Sequence, residues 1–282
     1  MSTNPLAFYM RQPKIYIRLP SNGNFWPKGS LELSETGEYA VYSMTAKDEL
    51  ALKVPDALMN GQAVVDVMQH CIPAIKNAWE CPNIDLDVVL IAIRLATYGE
   101  MMDTPINVNE QEFEYRVDLR LLMDQLQSQI GWDPVIPIND ELTVFVKPLT
   151  YKNVAQAAIQ SFETQKIMNI VNDEKMDEDK KIALFKESFA KISSVTLSTI
   201  IDSIDRIESA HGSTSDAAHI KEFVNNVDKE IYSKIETHLF KLREQNSIKP
   251  LRIAVTDELK EKGVTGDVLE VPITFDPSTF FV

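Results

Sequence analysis

The alternation of apolar and polar positions follows the same arrangement at two places in the chain. In residues 37–50 and again in 140–154, a short alternating stretch runs into a threonine and then into a helical pattern of apolar residues. A period of two residues is typical of a strand, and a threonine such as Thr45 or Thr150 caps the N-terminus of a helix. Asp48, three residues after Thr45, completes a pair that resembles a capping box. Each copy therefore predicts a strand, a tight turn and a helix, and the repetition indicates an internal duplication of this unit rather than an active site.

The first half of the chain alternates short strand patterns with helical ones. Residues 14–19 alternate strictly, and a second extended stretch at about 31–43 predicts a hairpin that turns at 34–37. Two further strands are predicted within 105–117. Pro73 interrupts one of the helical patterns and predicts a kink or a split there. The helical patterns of this half occupy about 45–54, 62–79, 86–98 and 119–130.

The second half is predicted to be mainly helical. Its helical patterns cover about 150–171, 178–191, 193–210 and 214–245. A strand is predicted at 250–255, and the proline-spaced tail at 269–282 is predicted to be extended. The turn residues at 131–134 mark the predicted boundary. The fold class that follows is α+β: residues 1–133 form a domain of short antiparallel strands and helices, and residues 134–282 form a mostly helical domain with a terminal strand and an extended C-terminal tail.

Composition and charge narrow the class of protein. A hydrophobic content of 44% and a charged content of 25% are ordinary for a soluble globular protein. No stretch approaches about 20 uninterrupted apolar residues, so no membrane span is predicted. The net charge of −14 opposes binding to nucleic acid or to an anionic membrane surface, because both need clustered Lys and Arg. The first residues lack the order of a signal peptide and two cysteines are too few for a disulfide framework, which together indicate the cytoplasm.

The sequence offers little catalytic chemistry. It contains no phosphate loop, dinucleotide fingerprint, nucleophile elbow or zinc-protease helix. His70 precedes Cys71, but adjacent side chains on a helix diverge by about 100°, so this pair cannot act as base and nucleophile. The acidic run at 173–181 lacks the glycine of a calcium loop, and Cys71 and Cys81 lack the spacing of metal ligands. We therefore predict no enzyme, no catalytic or cofactor-binding residue, no cofactor, no metal and no small-molecule substrate.

Two features indicate protein partners instead. Arg94 lies within the most apolar helical pattern of the chain. It is either buried against Asp85, Asp87 or a backbone carbonyl, or it anchors an interface, a role that the planar guanidinium favours. The chain ends on three apolar residues, which must pack back or enter a partner. The candidate partner-binding residues are Arg94, Phe280, Phe281 and Val282.

Several segments occur in an order and spacing that carry a family resemblance. They are Leu-Pro-Ser-Asn-Gly-Asn-Phe-Trp-Pro at 19–27, Met-Thr-Ala-Lys-Asp-Glu at 44–49, Asn-Gly at 60–61, Ile-Ala-Ile-Arg-Leu-Ala-Thr-Tyr-Gly at 91–99, Glu-Phe-Glu-Tyr-Arg-Val-Asp-Leu at 112–119 and Val-Pro-Ile-Thr-Phe-Asp-Pro-Ser-Thr-Phe-Phe at 271–281. In these segments the chain resembles the baseplate hub and hub-assembly protein family of T-even-type contractile-tailed bacteriophages. The resemblance is densest over residues 14–119.

The chain departs from this family's pattern at two places. Similar proteins often carry a Cys-x-x-Cys pair just before the segment that matches 112–119, and another before the C-terminal Val-Pro-Ile-x-Phe. Here 104–107 is Thr-Pro-Ile-Asn and 264–267 is Val-Thr-Gly-Asp. Without these cysteines, strand pairing and packing alone must hold the two segments in shape. No zinc is therefore expected.

The resemblance implies a viral protein that helps to build the central hub of the tail baseplate. It implies either a stoichiometric hub subunit, located in the tail baseplate of the virion, or a helper that chaperones the hub in the host cytoplasm during assembly and then leaves. We hypothesise that the extended tail and the apolar helix faces dock onto other phage baseplate hub or tape-measure proteins. Two alternatives stay open. One is a tail-assembly chaperone or scaffold that never enters the virion. The other is a tail-associated hydrolase, for which the sequence marks no pair of carboxylates.

Overall fold

The structure is a computed structural model of the chain. It describes residues 5–6, 9–54, 60–108, 111–128, 131–171, 178–256, 259–260, 265–271 and 280–281, with the side chains at 105–108, 111–113, 163, 165–171 and 178 left out of the description. None of the helices in these ranges is long and apolar enough to cross a lipid bilayer.

The described part of the first half consists of antiparallel strand pairs packed on helices. Strand β1 (Pro13–Ile17) pairs with β2 (Tyr39–Tyr42), and β3 (Met101–Val108) pairs with β4 (Gln111–Asp118). The helices are α1 (Ala46–Leu52), α2 (Gln62–Cys71), α3 (Asn83–Tyr98) and α4 (Leu119–Gln127). Helix α2 ends just before Pro73, so the predicted split is confirmed. The β3–β4 hairpin also confirms the two strands predicted within 105–117.

The hairpin predicted around 34–37 is wrong. Leu31 is buried and forms an isolated antiparallel bridge with Ile75, and the Ser30 carbonyl accepts the backbone N–H of Lys76 at 2.8 Å. These bonds hold residues 30–31 against the segment after α2, away from the sheet. Strand β2 pairs with β1 instead.

Both predicted strand-turn-helix units are present, and their helices begin in the same way. After β2, the backbone N–H and the hydroxyl of Thr45 donate to one carboxylate oxygen of Asp48, at 2.7 and 2.8 Å. After strand β6 (Leu142–Val146), the N–H and the hydroxyl of Thr150 donate to the side-chain oxygen of Asn153, at 3.1 and 2.7 Å, where helix α5 (Tyr151–Val171) begins. The two caps are therefore equivalent in their bonds, and the internal duplication stays a prediction.

This equivalence predicts equal costs for removing the two caps. Thr45→Ala and Thr150→Ala are each expected to lower the free energy of unfolding by about 1 kcal/mol, because each leaves helix-terminal groups without partners. Chemical denaturation measures both. Thr196→Ala is the matched control, since Thr196 is exposed inside a helix, where alanine is well tolerated. A cost at Thr45 with none at Thr150 would contradict the equivalence.

The second half contains a four-stranded antiparallel sheet of β5 (Val135–Pro137), β6, β7 (Ile204–Ser209) and β8 (Gly212–Thr214), in that order. Helix α5 and helix α6 (Glu178–Asp202) are inserted between β6 and β7 as an antiparallel helical hairpin. The remaining elements of this half are α7 (Ala217–Asn226), α8 (Lys229–Gln245), β9 (Leu251–Ala254) and β10 (Val268–Val271). Strand β9 confirms the strand predicted at 250–255 and pairs with β10.

The helices predicted for the second half were only partly correct. The predicted helices at 178–191 and 193–210 are one helix that ends at Asp202, and 204–209 is strand β7, which pairs with β6. The run at 214–245 is two helices. Asp216 caps the first by accepting the N–H of Ala218 at 2.8 Å, and Asp228 caps the second by accepting the N–H of Ile231 at 3.0 Å. The α+β class is confirmed, although the second half holds a sheet that was not predicted.

The buried apolar side chains form two main clusters. The first joins β1, β2 and helices α2 to α4, and it also receives Tyr151, Phe280 and Phe281. The second joins the four-stranded sheet to α7, α8 and the C-terminal end of α6. The predicted domain boundary after residue 133 lies between the two clusters along the chain and stays a prediction. The three aromatic residues that cross into the first cluster tie the two halves together.

Candidate partner-docking sites

The structure brings together Arg94 and Phe280, near the end of the chain, which lie 186 residues apart in the sequence. The Arg94 guanidinium donates a hydrogen bond to the carbonyl oxygen of Phe280. It also lies 5.3 Å from the centre of the Phe280 ring and 5.2 Å from that of Tyr98. Burial lowers the pKa of Arg94 from its ordinary value, while Tyr98 and Asp103 oppose that shift. Of the two predicted settings of Arg94, the structure shows burial against a backbone carbonyl.

Phe280 and Phe281 pack back into the first cluster. Each is only 3% exposed, and their rings meet edge to face with centres 5.0 Å apart. Val282 and the tail segment 272–279 lie outside the described residues. The role of Arg94, Phe280, Phe281 and Val282 in partner binding stays a prediction.

The hydroxyl of Tyr98 also contacts the end of the chain, and we call the contacts of Arg94 and Tyr98 with Phe280 and Phe281 the C-terminal junction. It lies 3.0 Å from the carbonyl oxygen of Phe281 and 3.2 Å from a carboxylate oxygen of Glu49, so two acceptors share its one proton. Tyr98→Phe is expected to lower the free energy of unfolding by about 1 kcal/mol, because it removes this donor. Tyr16→Phe, at an exposed tyrosine of β1, is the control and should change little. Equal effects of the two variants in chemical denaturation would count against the junction.

The Asp85 side chain is fully buried near the start of α3. It accepts the N–H of Ser21 at 2.8 Å, the hydroxyl of Ser21 at 2.5 Å and the indole N–H of Trp26 at 2.8 Å. Desolvation by burial raises the pKa of Asp85 to about 6, although these three bonds act in the opposite direction. Gly23 lies in the loop that Asp85 holds, with φ of 80°, and a β-carbon there would come within 2.6 Å of Leu33. We call this arrangement the Asp85 node.

Three of the segments that carried the family resemblance, 19–27, 44–49 and 91–99, meet at α3. The 19–27 segment wraps Asp85 at the start of this helix, as described above. The 44–49 segment binds its end, where the backbone N–H of Met44 donates to the hydroxyl of Thr97 at 2.9 Å. The same segment provides Glu49 beside Tyr98. These residues therefore determine the fold of the first half rather than a reactive site.

The candidates for nucleophilic chemistry are engaged in structural contacts. His70 Nδ1 lies 2.7 Å from a carboxylate oxygen of Asp48. Burial raises the pKa of the Cys71 thiol to about 11 and that of Cys81 well above its ordinary value. A thiol with a raised pKa is a weak nucleophile at neutral pH. Among the described residues, no group of three or more His, Cys, Asp or Glu side chains converges to hold a metal ion.

An exposed apolar stripe lies on α6 and was not predicted as a site. Its C-terminal end packs into the second cluster through residues such as Leu197 and Ile200, but the helix continues far beyond that core. In the projecting part, large apolar side chains lie at intervals of three, four and three residues and are 48–65% exposed. These side chains are Ile182, Phe185, Phe189 and Ile192. We call them the α6 stripe. Their spacing was visible in the sequence, but a helical pattern does not reveal which apolar faces are covered.

A comparison with known families decides where the chain belongs. The family model described as T4 bacteriophage base plate protein matches residues 13–256. The chain belongs to this family. No curated protein and no solved structure matches the chain.

The match to the T4 base plate protein family covers the Asp85 node, the capped helices and the whole hairpin of α5 and α6. Phe280 and Phe281 lie beyond it. Membership confirms the resemblance to T4-type phage baseplate proteins. It also favours a structural role over a catalytic one and associates the protein with the tail baseplate.

Proposed function

We propose that this protein is a subunit or assembly factor of the central hub of the phage tail baseplate and acts by docking onto other hub or tape-measure proteins. Membership of the base plate family supports a role in the tail baseplate. The single observation that favours docking is the α6 stripe, because a large apolar face that projects beyond its own core is typical of a protein–protein contact.

The arrangement of the hairpin suits this role. Helices α5 and α6 leave the sheet between β6 and β7 and return to it, so the sheet and the helices packed on it hold the base of the hairpin. A partner bound to the stripe would meet a helix that is fixed at that end. Docking on a rigid element loses less conformational entropy than docking on a loop.

Mass spectrometry of purified phage particles tests whether the protein is a hub subunit. A hub subunit should be recovered from the particles at a stoichiometry close to that of other baseplate proteins. Recovery only from assembly intermediates would make it the assembly chaperone or scaffold named above. Absence from both particles and intermediates would refute the proposed function.

A further inference from the structure

The α6 stripe has the spacing of a coiled-coil seam. Intervals of three, four and three residues place Ile182 and Phe189 at successive a positions of a heptad, and Phe185 and Ile192 at the d positions between them. Side chains at a and d insert between those of a second helix. The shape of the stripe therefore fits a helix better than an extended peptide or a flat surface.

At the positions that flank the stripe, two lysines outnumber one aspartate, although the chain as a whole is acidic. In the same heptad, Lys181 falls at g and Lys186 at e, the two positions that flank a coiled-coil seam. Glu187 falls at f, on the outer side, and forms an ion pair with Lys191 at 2.9 Å. Asp179 falls at the e position ahead of the first apolar residue of the stripe and is the one acidic residue described at the e and g positions there.

Resting on the proposed function, we infer that the α6 stripe binds an amphipathic helix of a partner protein whose apolar seam is flanked by Asp and Glu. Residues at e and g select partners by charge, so two lysines there favour carboxylates across the seam. A second copy of this chain is a poor occupant. In a parallel pairing its own stripe would bring Lys181 of one copy against Lys186 of the other, and two lysines repel each other.

Two designed peptides test this partner chemistry on the full-length protein. Both are fluorescently labelled amphipathic helices with Ile and Leu at a and d; one carries Glu at e and g, and the other carries Lys. We expect the Glu peptide to bind about tenfold more tightly in fluorescence anisotropy, against the overall charge of the protein. Phe189→Glu should abolish this binding. Phe240→Glu, at an exposed phenylalanine of α8, is the matched control and should retain it.

The other outcomes overturn the inference. Equal binding of the two peptides would refute the selection of an acidic partner. Binding of neither peptide would refute a helical partner. Concentration-dependent self-association that Phe189→Glu abolishes would make a second copy the occupant. Unchanged circular dichroism of Phe189→Glu shows that the variant is folded. A protein that is found in phage particles but binds neither peptide would refute this inference while leaving the proposed function in place.

Discussion

Replacing Phe280 and Phe281 together by alanine is expected to lower the free energy of unfolding by at least about 4 kcal/mol. Each ring is 97% buried in the first cluster, since its exposed fraction is only 3%. Truncating a buried phenylalanine costs about 3–5 kcal/mol, and the two rings share contacts, so their costs do not simply add. For a chain of this size the thermal midpoint should fall by about 10 °C.

The control for this experiment is Phe240→Ala, because Phe240 is 68% exposed and its truncation should shift the midpoint little. Calorimetry or circular dichroism measures both variants. An unchanged midpoint in the double variant would show that Phe280 and Phe281 are not core residues. If that variant also lost its partners, the partner-binding role predicted for the chain end would be supported instead.

Asp85→Ala is expected to be the most destabilising single substitution in the first half, at about 3–5 kcal/mol. It removes the acceptor of two buried donors on Ser21 and of the half-buried indole N–H of Trp26, and leaves all three without that partner. Asp85→Asn should cost less at neutral pH, because asparagine keeps one acceptor oxygen and carries no charge that burial must desolvate. Equal losses in denaturation would show that charge, not the acceptor, matters at this position.

The Asp85 node also predicts that the free energy of unfolding decreases as the pH rises. Desolvation raises the pKa of Asp85 from 3.8 to about 6 in the folded protein, so folding favours its protonated form. The stability that this group contributes is fully present below about pH 4 and is lost as the pH rises through 6. The shift corresponds to about 3 kcal/mol.

Asp85→Asn isolates this contribution, since asparagine does not titrate. The stability of the wild type relative to Asp85→Asn should fall between pH 4 and pH 6 and stay constant above that range. Asp87, whose pKa burial also raises to about 6, remains in both proteins and cancels in the comparison. A difference that grows with pH over this range would contradict the assignment.

The sequence correctly predicted the features that depend on neighbouring residues in the chain, namely helix caps and a helix break. The caps at Thr45 and Thr150 and the break at Pro73 each depend on residues within one helical turn, and the structure has all three. The strand β7 was missed because its partner β6 is about sixty residues earlier in the chain. The adjacent charged residues Asp205 and Arg206 interrupt the alternation that marks a strand. Ile204 and Ile207 also continue the helical spacing of the apolar residues of α6.

Long-range contacts account for most of what the sequence did not predict at the candidate sites. Arg94 and Phe280 are 186 residues apart, and no local pattern shows that one binds the carbonyl of the other. The break between α7 and α8 was missed for a different reason. Apolar residues continue at helical spacing across Val227, and the cap at Asp228 is a weaker signal than that stripe.

The α6 stripe shows the limit of such patterns most clearly. Phe185 and Phe189 have the spacing of core residues, and the sequence alone does not distinguish a covered apolar face from an exposed one. Only the position of the second cluster, which ends near Leu197, shows that these side chains extend beyond the core.

Affinity purification of the tagged protein from infected cells tests the central claim, docking through the α6 stripe, most directly. We expect the wild type and the Phe240→Glu control to recover phage baseplate proteins, identified and quantified by mass spectrometry. Phe189→Glu should recover about tenfold less of them while its thermal midpoint stays unchanged. Recovery of the same baseplate proteins in the same amounts by the Phe189→Glu variant would contradict the account.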